Sequence, residues 1–163
     1  MKLRVDDLRV LQAELDQRIF TLHQVTREGT KEARILALLV ELSELANETR
    51  CFKYWSLKEA SAKEVILEEY GDGIHFLLSL GIDLKDQTEE FKVESSKTDL
   101  TTQILNTYEE IIQLKSRFNF TQYIKAFQEY LKIAELLGFS EEDIRKYYLL
   151  KNQKNHQRQD EQY

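Results

Sequence analysis

"VILEEYGDGIHFLLSLG", residues 65–81, is the stretch on which the fold turns. On a helical wheel at about 100° per residue, Val65, Ile66, Gly73, Phe76 and Leu80 fall within about 60° of Glu69. That periodicity predicts a helix over residues 62–80, with Gly81 as a left-handed terminator. It also places Glu69 near the middle of the apolar stripe and Asp72 near its border. Two carboxylates there need a reason. Burying a bare carboxylate costs several kcal/mol even after the surroundings relax.

Working outward, the same signals recur. Proline is absent and glycine occurs five times in 163 residues, where ordinary usage would supply roughly eight prolines. A chain without helix breakers and rich in Leu, Glu, Lys and Gln reads as all-α. The expected architecture is a single-domain bundle of about six helices over residues 1–163. Helices are expected at residues 5–22, 31–54, 62–80, 99–117 and 121–137, with a last one running to 158. A turn is expected at 27–30 with Thr30 as N-cap, and a connection at 56–61. Residues 82–98 read as a surface excursion with a short extended piece near 91–93. Gly138 should end the fifth helix, and Ser140 with Asp143 should open the sixth as a capping box.

Several classes fall away on composition. Cys51 is the single cysteine, so no internal disulfide can form, in keeping with a reducing compartment. No secretory apolar segment opens the sequence, so a cytoplasmic location is expected. The longest apolar run, residues 35–40, falls far short of the roughly 20 residues of a membrane span. A net charge of −6 argues against a general nucleic-acid binder. Residues 144–159 run against that trend, with Arg145, Lys146, Lys151, Lys154 and Arg158 and no acid.

Glu41, Glu44 and Glu48 repeat the buried-acid pattern on the second helix, sharing one face by their spacing. Leu38 and Leu45 flank Glu41, so these acids also border the core. Clustered carboxylates repel one another. They are relieved by basic partners, by protonation or by divalent cations. Few cations share these faces, and protonating four acids at neutral pH needs large shifts. An oxygen-only site for Mg²⁺ answers both problems. The candidate ligands are Glu41, Glu44, Glu69 and Asp72. Each E-x-x-[ED] pair also has a plain reading as a solvated helix face. A di-iron bundle wants two Glu-x-x-His pairs, and only Asp72 is followed at that spacing by a histidine, His75. Zinc fits worse, with one Cys and three scattered His.

Lys151, Asn155 and Arg158 align at i, i+4 and i+7 beside Tyr147 and Tyr148. They suit a phosphate clamp, or simply a basic end complementing the helix dipole. "CFKYWS", residues 51–56, gathers Phe52, Tyr54 and Trp55, either to stack a base or to fill core. Gln12 and Asp16, four apart, border the apolar stripe of the first helix. They are base-reading groups or ordinary surface polarity. His75 is a ligand contact or a core histidine.

"ELSELANETRCFKYWS", residues 41–56, followed by "EEYGDGIHFLLSLG", residues 68–81, resembles the dimeric all-α dUTP diphosphatases. These belong to the wider all-α NTP pyrophosphatases that include the MazG type. The superfamily signature, E-x-x-E, a gap, then E-x-x-D, is matched by Glu41, Glu44, Glu69 and Asp72. "DGIHF" and "YYLLKNQKNHQRQ", residues 147–159, extend the likeness over nearly the whole chain. The resemblance implies that the four acids hold two or more Mg²⁺ ions, with Mn²⁺ as a substitute. It implies phosphate contacts from Lys151, Asn155, Arg158 and Lys53. It implies a uracil and deoxyribose pocket of Gln12, Asp16, Trp55, His75 and Phe76. The implied reaction takes dUTP, and dUDP, to dUMP in a homodimer, with no nucleic-acid or membrane partner. The alternatives are a MazG-like pyrophosphatase for another nucleotide such as dCTP, or a non-enzymatic helical interaction module. Two departures stand out. The tail reads "RQDEQY", placing Asp160 and Glu161 beside the phosphate clamp, where the family often has Gly before the last Tyr. Asp16 stands where some members carry Asn.

Overall fold

The structure is a computed structural model that describes residues 1–162. Among them run six α-helices: α1 (Asp6–His23), α2 (Arg27–Thr49), α3 (Lys63–Asp83), α4 (Leu100–Ile112), α5 (Phe120–Leu136) and α6 (Glu141–Asp160). Two short strands, β1 (Lys2–Arg4) and β2 (Glu90–Lys92), pair antiparallel with Leu3 opposite Phe91. The all-α class holds, with that small sheet added.

Capping explains most helix limits. The α2 helix starts at Arg27, because the Thr26 side chain accepts the Gly29 N–H at 2.9 Å. Residues 27–30 are therefore its first turn, and the N-cap is Thr26, not Thr30. The same helix stops at Thr49, earlier than the expected 54. Arg50 turns left-handed (φ 56°) and its N–H closes on the carbonyls of Ala46 and Asn47. "CFKYWS" consequently leaves the helix and lies in a loop. Arg50 braces that loop through the Lys58 carbonyl at 3.1 Å and the Ser56 hydroxyl at 2.8 Å. Gly138 (φ 71°) follows α5 and the Ser140–Asp143 capping box opens α6, both as the local pattern predicts. The α4 helix ends sooner than expected, at Ile112, in a 3-10 turn over Gln113–Lys115.

Gly81 is not a terminator. The α3 helix runs through it, and packing is what excludes a side chain there: a Cβ would sit 2.2 Å from the Tyr123 hydroxyl. Gly73 is placed likewise: a Cβ there would sit 1.9 Å from the Tyr130 hydroxyl. Tyr130 donates to the Tyr70 carbonyl at 2.9 Å, and Tyr70 donates to the Tyr130 carbonyl at 3.1 Å. Both buried hydroxyls are thus satisfied, which matters because an unmade buried hydrogen bond costs about 1–3 kcal/mol.

The α3 helix packs against α1, α2, α5 and α6, so its middle has no wet side. The buried face of α3 therefore differs from the one the helical wheel predicts. Ile66, Leu67, Tyr70, Ile74, Leu77 and Leu78 form the core face. Val65 is exposed and Glu69 and Phe76 are half-buried. Asp72, expected at the border, is the more deeply buried acid, at 8% exposure. Being enclosed by four helices, and not lying on a surface, reverses which acid goes deep. The β1 strand had no local signal, since its partner lies near residue 91. Phe91 stacks on Phe127 at 3.9 Å and ties the excursion after α3 to α5.

Candidate functional site

The packing of α2 on α3 brings one carboxylate oxygen from each of Glu41, Glu69 and Asp72 within 4.8 Å of one another. Burial first, then the charges of Asp72 and Glu44, push the Glu41 carboxyl up to about 8. The same causes lift Glu69 to about 7. Burial also raises Asp72, against the opposing pull of Lys151. Glu44 is exposed at the rim of this cluster, and its charge acts on both Glu41 and Glu69. Buried oxygens on Glu41 (Oε2) and Asp72 (Oδ1) have no hydrogen-bond partner among the described residues. Unpartnered carboxylate oxygens facing like charges, with no soft donor nearby, fit a hard divalent cation.

Basic relief comes from α6, a source the two acid-bearing helices do not reveal. Lys151 donates to Asp72 Oδ2 at 2.6 Å and lies 3.7 Å from Glu68, which Lys154 also reaches at 3.2 Å. This ammonium occupies one Asp72 oxygen and leaves the two orphaned oxygens as they are. Asp160, one of the two tail acids, is paired with Arg18 of α1. Glu161 accepts from Gln157 at 3.1 Å. The acids of "RQDEQY" therefore have partners of their own.

Between α1, α2, α3 and α6 opens a cleft of about 400 Å³. Gln12, Asp16, Glu41, Asp72, His75, Phe76, Lys151, Asn155 and Arg158 all line it, with Leu15, Ile19, Phe20 and Ala37 as its apolar wall. Glu44 and Glu69 lie on an adjoining opening with Val40, Ser43, Asn47 and Glu48. Lys53 and Trp55 do not reach the cleft of their own chain. They sit on the loop after α2, where Trp55 is 64% exposed and packs edge-on with Phe52 and Tyr54. A larger, shallower depression of about 890 Å³ lies beside Arg4, Arg145 and Leu149, and none of the acidic cluster borders it.

Gln12 and Asp16 are buried, which removes the surface-polarity reading. Burial drives the His75 imidazole down to about 3, so it is neutral at physiological pH. Its ring stacks on Tyr148 at 4.1 Å, and its Nδ1 lies 2.7 Å from Gln12 Oε1. Arg27, Arg34 and Ser79 surround these groups and were missed from sequence, and Tyr148, named there only as a neighbour of the phosphate clamp, joins them. A signal existed for Arg34, which shares a helical face with Leu38, Glu41 and Leu45 by its spacing. Its partner Asp83, at 2.7 Å, is 49 positions away and gave none.

The raised acids set a testable pH dependence. Between about 4.5 and 8 the folded chain binds more protons at Glu41 and Glu69 than the unfolded chain does. Stability from these groups therefore falls as pH rises through that window. In EDTA, the melting temperature at pH 8.5 is expected at least about 3 °C below that at pH 5.5, with the buried neutral His75 reducing the difference but not cancelling the two acids. Mg²⁺ should raise it more at pH 8.5 than at 5.5. Calorimetry at the two pH values checks this; a higher EDTA melting temperature at pH 8.5 would contradict it.

A dUTPase family model matches residues 4–163. No curated protein matches the chain.

Proposed function

The chain belongs to the dUTPase family, and from that premise we propose a Mg²⁺-dependent dUTP diphosphatase that also accepts dUDP. Family membership makes it an enzyme that hydrolyses dUTP and removes the non-enzymatic alternative. The observation supporting metal dependence is the trio Glu41, Glu69 and Asp72, with its two buried oxygens lacking partners. We assign Glu41, Glu44, Glu69 and Asp72 to hold two or more Mg²⁺ ions, with Mn²⁺ as a substitute. The ions would neutralise phosphate oxygens and make a nearby water more acidic.

The rest falls to side chains. Lys151, Asn155 and Arg158 line the cleft where phosphate oxygens would lie and stabilise the departing pyrophosphate. Glu44, at the solvent edge, takes the proton of the water that breaks the α–β phosphate bond. Phe76 and the apolar wall of α1 hold the base and deoxyribose, with Gln12 and the neutral His75 at the polar end. Lys53 and Trp55 remain assigned to substrate only through the family resemblance.

The whole chain is taken as one catalytic domain that works as a cytoplasmic homodimer. Exposed Leu36 and Val40 on α2 and Leu105 and Ile112 on α4, two helices that pack together, support self-association. No helix among the described residues is long and apolar enough to cross a membrane. A panel of dUTP, dUDP, dCTP, dTTP and dATP, assayed for pyrophosphate and phosphate with Mg²⁺, Mn²⁺ or EDTA, tests the reading. dUTP should be the fastest substrate, and EDTA should abolish turnover. Full activity in EDTA would remove the metal assignment. Faster hydrolysis of dCTP would move the chain to the MazG-like alternative.

A further inference from the structure

Resting on the function proposed above and deepening it, we propose that Asp16 is a positioning residue that sets pyrimidine preference without touching the base. It does so by locking the side-chain amide of Gln12, and it is itself held by Arg27 and Ser79.

Protein groups engage both carboxylate oxygens of Asp16. Gln12 Nε2 donates to Oδ1 at 2.8 Å, and Oδ2 accepts from Arg27 Nη2 at 2.8 Å and Ser79 Oγ at 2.6 Å. At 5% exposure it has little surface left for a ligand. Its holders are braced in turn. Arg27 Nη1 donates to the Ser79 carbonyl at 2.9 Å and to Asp83 at 2.8 Å, with its guanidinium 5.0 Å from the centre of the Phe20 ring. Arg34 bonds the Arg27 carbonyl at 2.6 Å and the Ser79 hydroxyl at 3.2 Å.

A carboxylate accepts and does not donate. Facing Asp16, the Gln12 amide must present its nitrogen, so its oxygen turns the other way. There Oε1 accepts from the Tyr148 hydroxyl at 3.0 Å and meets His75 Nδ1 at 2.7 Å. A neutral ring has one N–H: carried on Nδ1 it donates to Gln12 Oε1, the shorter contact, and leaves Nε2 without a hydrogen for the Tyr148 carbonyl 3.2 Å away. Asp16 takes one of the two amide hydrogens. The other makes no hydrogen bond among the described residues, and Gln12 lines the cleft. What Gln12 offers a substrate is therefore a donor. That donor suits the 4-oxo group of uracil and opposes the 4-amino group of cytosine, which is itself a donor. A carboxylate pointed at the same position would favour cytosine. Burying Asp16 and aiming its charge at Gln12 gives the opposite preference.

The test compares kcat/KM for dUTP and dCTP, with Mg²⁺, in the parent, Asp16→Asn and Arg27→Lys, with fold checked by circular dichroism. Asparagine in place of Asp16 still accepts from Arg27 and Ser79 through its oxygen but turns an N–H₂ toward Gln12. The Gln12 amide then reverses and shows its oxygen to the cleft. The dUTP-over-dCTP ratio is expected to fall at least about tenfold, through loss on dUTP with none on dCTP. Arg27 does not line the cleft, so a change in base preference at that position reaches substrate through the groups it holds, Asp16, Ser79 and Phe20, of which only Asp16 fixes the Gln12 amide. Arg27→Lys loses the fork and should lower the ratio at least about threefold, which decides the matter if Asp16→Asn does not fold. Ratios unchanged in the folded variants, or equal losses on both nucleotides, overturn the proposal while the assigned activity stands. A parent that does not prefer dUTP to dCTP overturns the assigned activity as well.

Discussion

Glu41→Gln is expected to lose about a hundred- to a thousandfold in dUTP turnover and yet to melt higher than the parent in EDTA. Both effects come from one feature. Glu41 Oε2 is buried without a partner beside Asp72 and Glu69, and burial with the charges of Asp72 and Glu44 raises its carboxyl to about 8. Without a cation this arrangement works against folding. Glutamine keeps the shape, removes one charge and brings an amide that can donate to a neighbouring carboxylate. A gain of at least about 2 °C at pH 8 is expected, from a conversion of about 2–4 °C per kcal/mol for a chain this size. The gain should shrink toward pH 5, where protonation of Glu41 gives the same relief. The Mg²⁺-dependent rise in melting temperature should fall with the activity. Residues that only support the fold lose stability when truncated; a residue kept for chemistry can gain it. Steady-state kinetics with calorimetry in EDTA and in Mg²⁺ tests the pair of effects. Parent-like turnover, or a lower EDTA melting temperature with an intact Mg²⁺ response, would count against the role of Glu41.

Gly73→Ala should be the most damaging single methyl in the chain. The new Cβ would lie 1.9 Å from the Tyr130 hydroxyl and 2.4 Å from the ring carbon that bears it. Tyr130 is fully buried and cannot swing into solvent. Moving it breaks its bond to the Tyr70 carbonyl and disturbs the ring contact with Tyr70 at 4.6 Å. Overpacking typically costs about 1–3 kcal/mol and an orphaned buried hydroxyl about 1–3 more. A combined loss of about 3 kcal/mol lowers the melting temperature by about 6–12 °C. Because Gly73 adjoins Asp72, any accommodation by α3 also shifts the acidic cluster, so turnover should fall in the folded fraction. Gly73→Ala combined with Tyr130→Phe removes the nearest clashing atom and should recover part of the loss. An alanine variant that melts like the parent would mean that α3 and α5 are less tightly packed than described.

Helix order was legible because it follows from local chemistry. The stop at Gly138, the Ser140–Asp143 cap and the 3.6-residue periodicity involve neighbours a turn or two apart. Gly81 shows where that reasoning fails. A glycine after an apolar run looks like a terminator, whereas its role here is set by Tyr123, 42 positions later. The strand at Lys2–Arg4 is as dependent on distant residues, since its hydrogen-bonding partner is β2. The early stop of α2 had a local cause, Arg50 in a left-handed conformation, but arginine carries no such preference that a reader could use.

What the sequence determined on its own is the placing of acids three apart on two helices and of Lys151, Asn155 and Arg158 on a third, because helical geometry alone puts such residues on one face. Only the tertiary structure decided that Glu41, Glu69 and Asp72 converge while Glu44 stays at the rim, and that Lys151 answers Asp72. It likewise decided that Asp16 faces Arg27 and Ser79, and that Lys53 and Trp55 stand outside the cleft. The physical reason is that these pairings depend on how each helix is rotated and crossed against the others. That is settled by the packing of the whole core, for which no short stretch of sequence carries a signal.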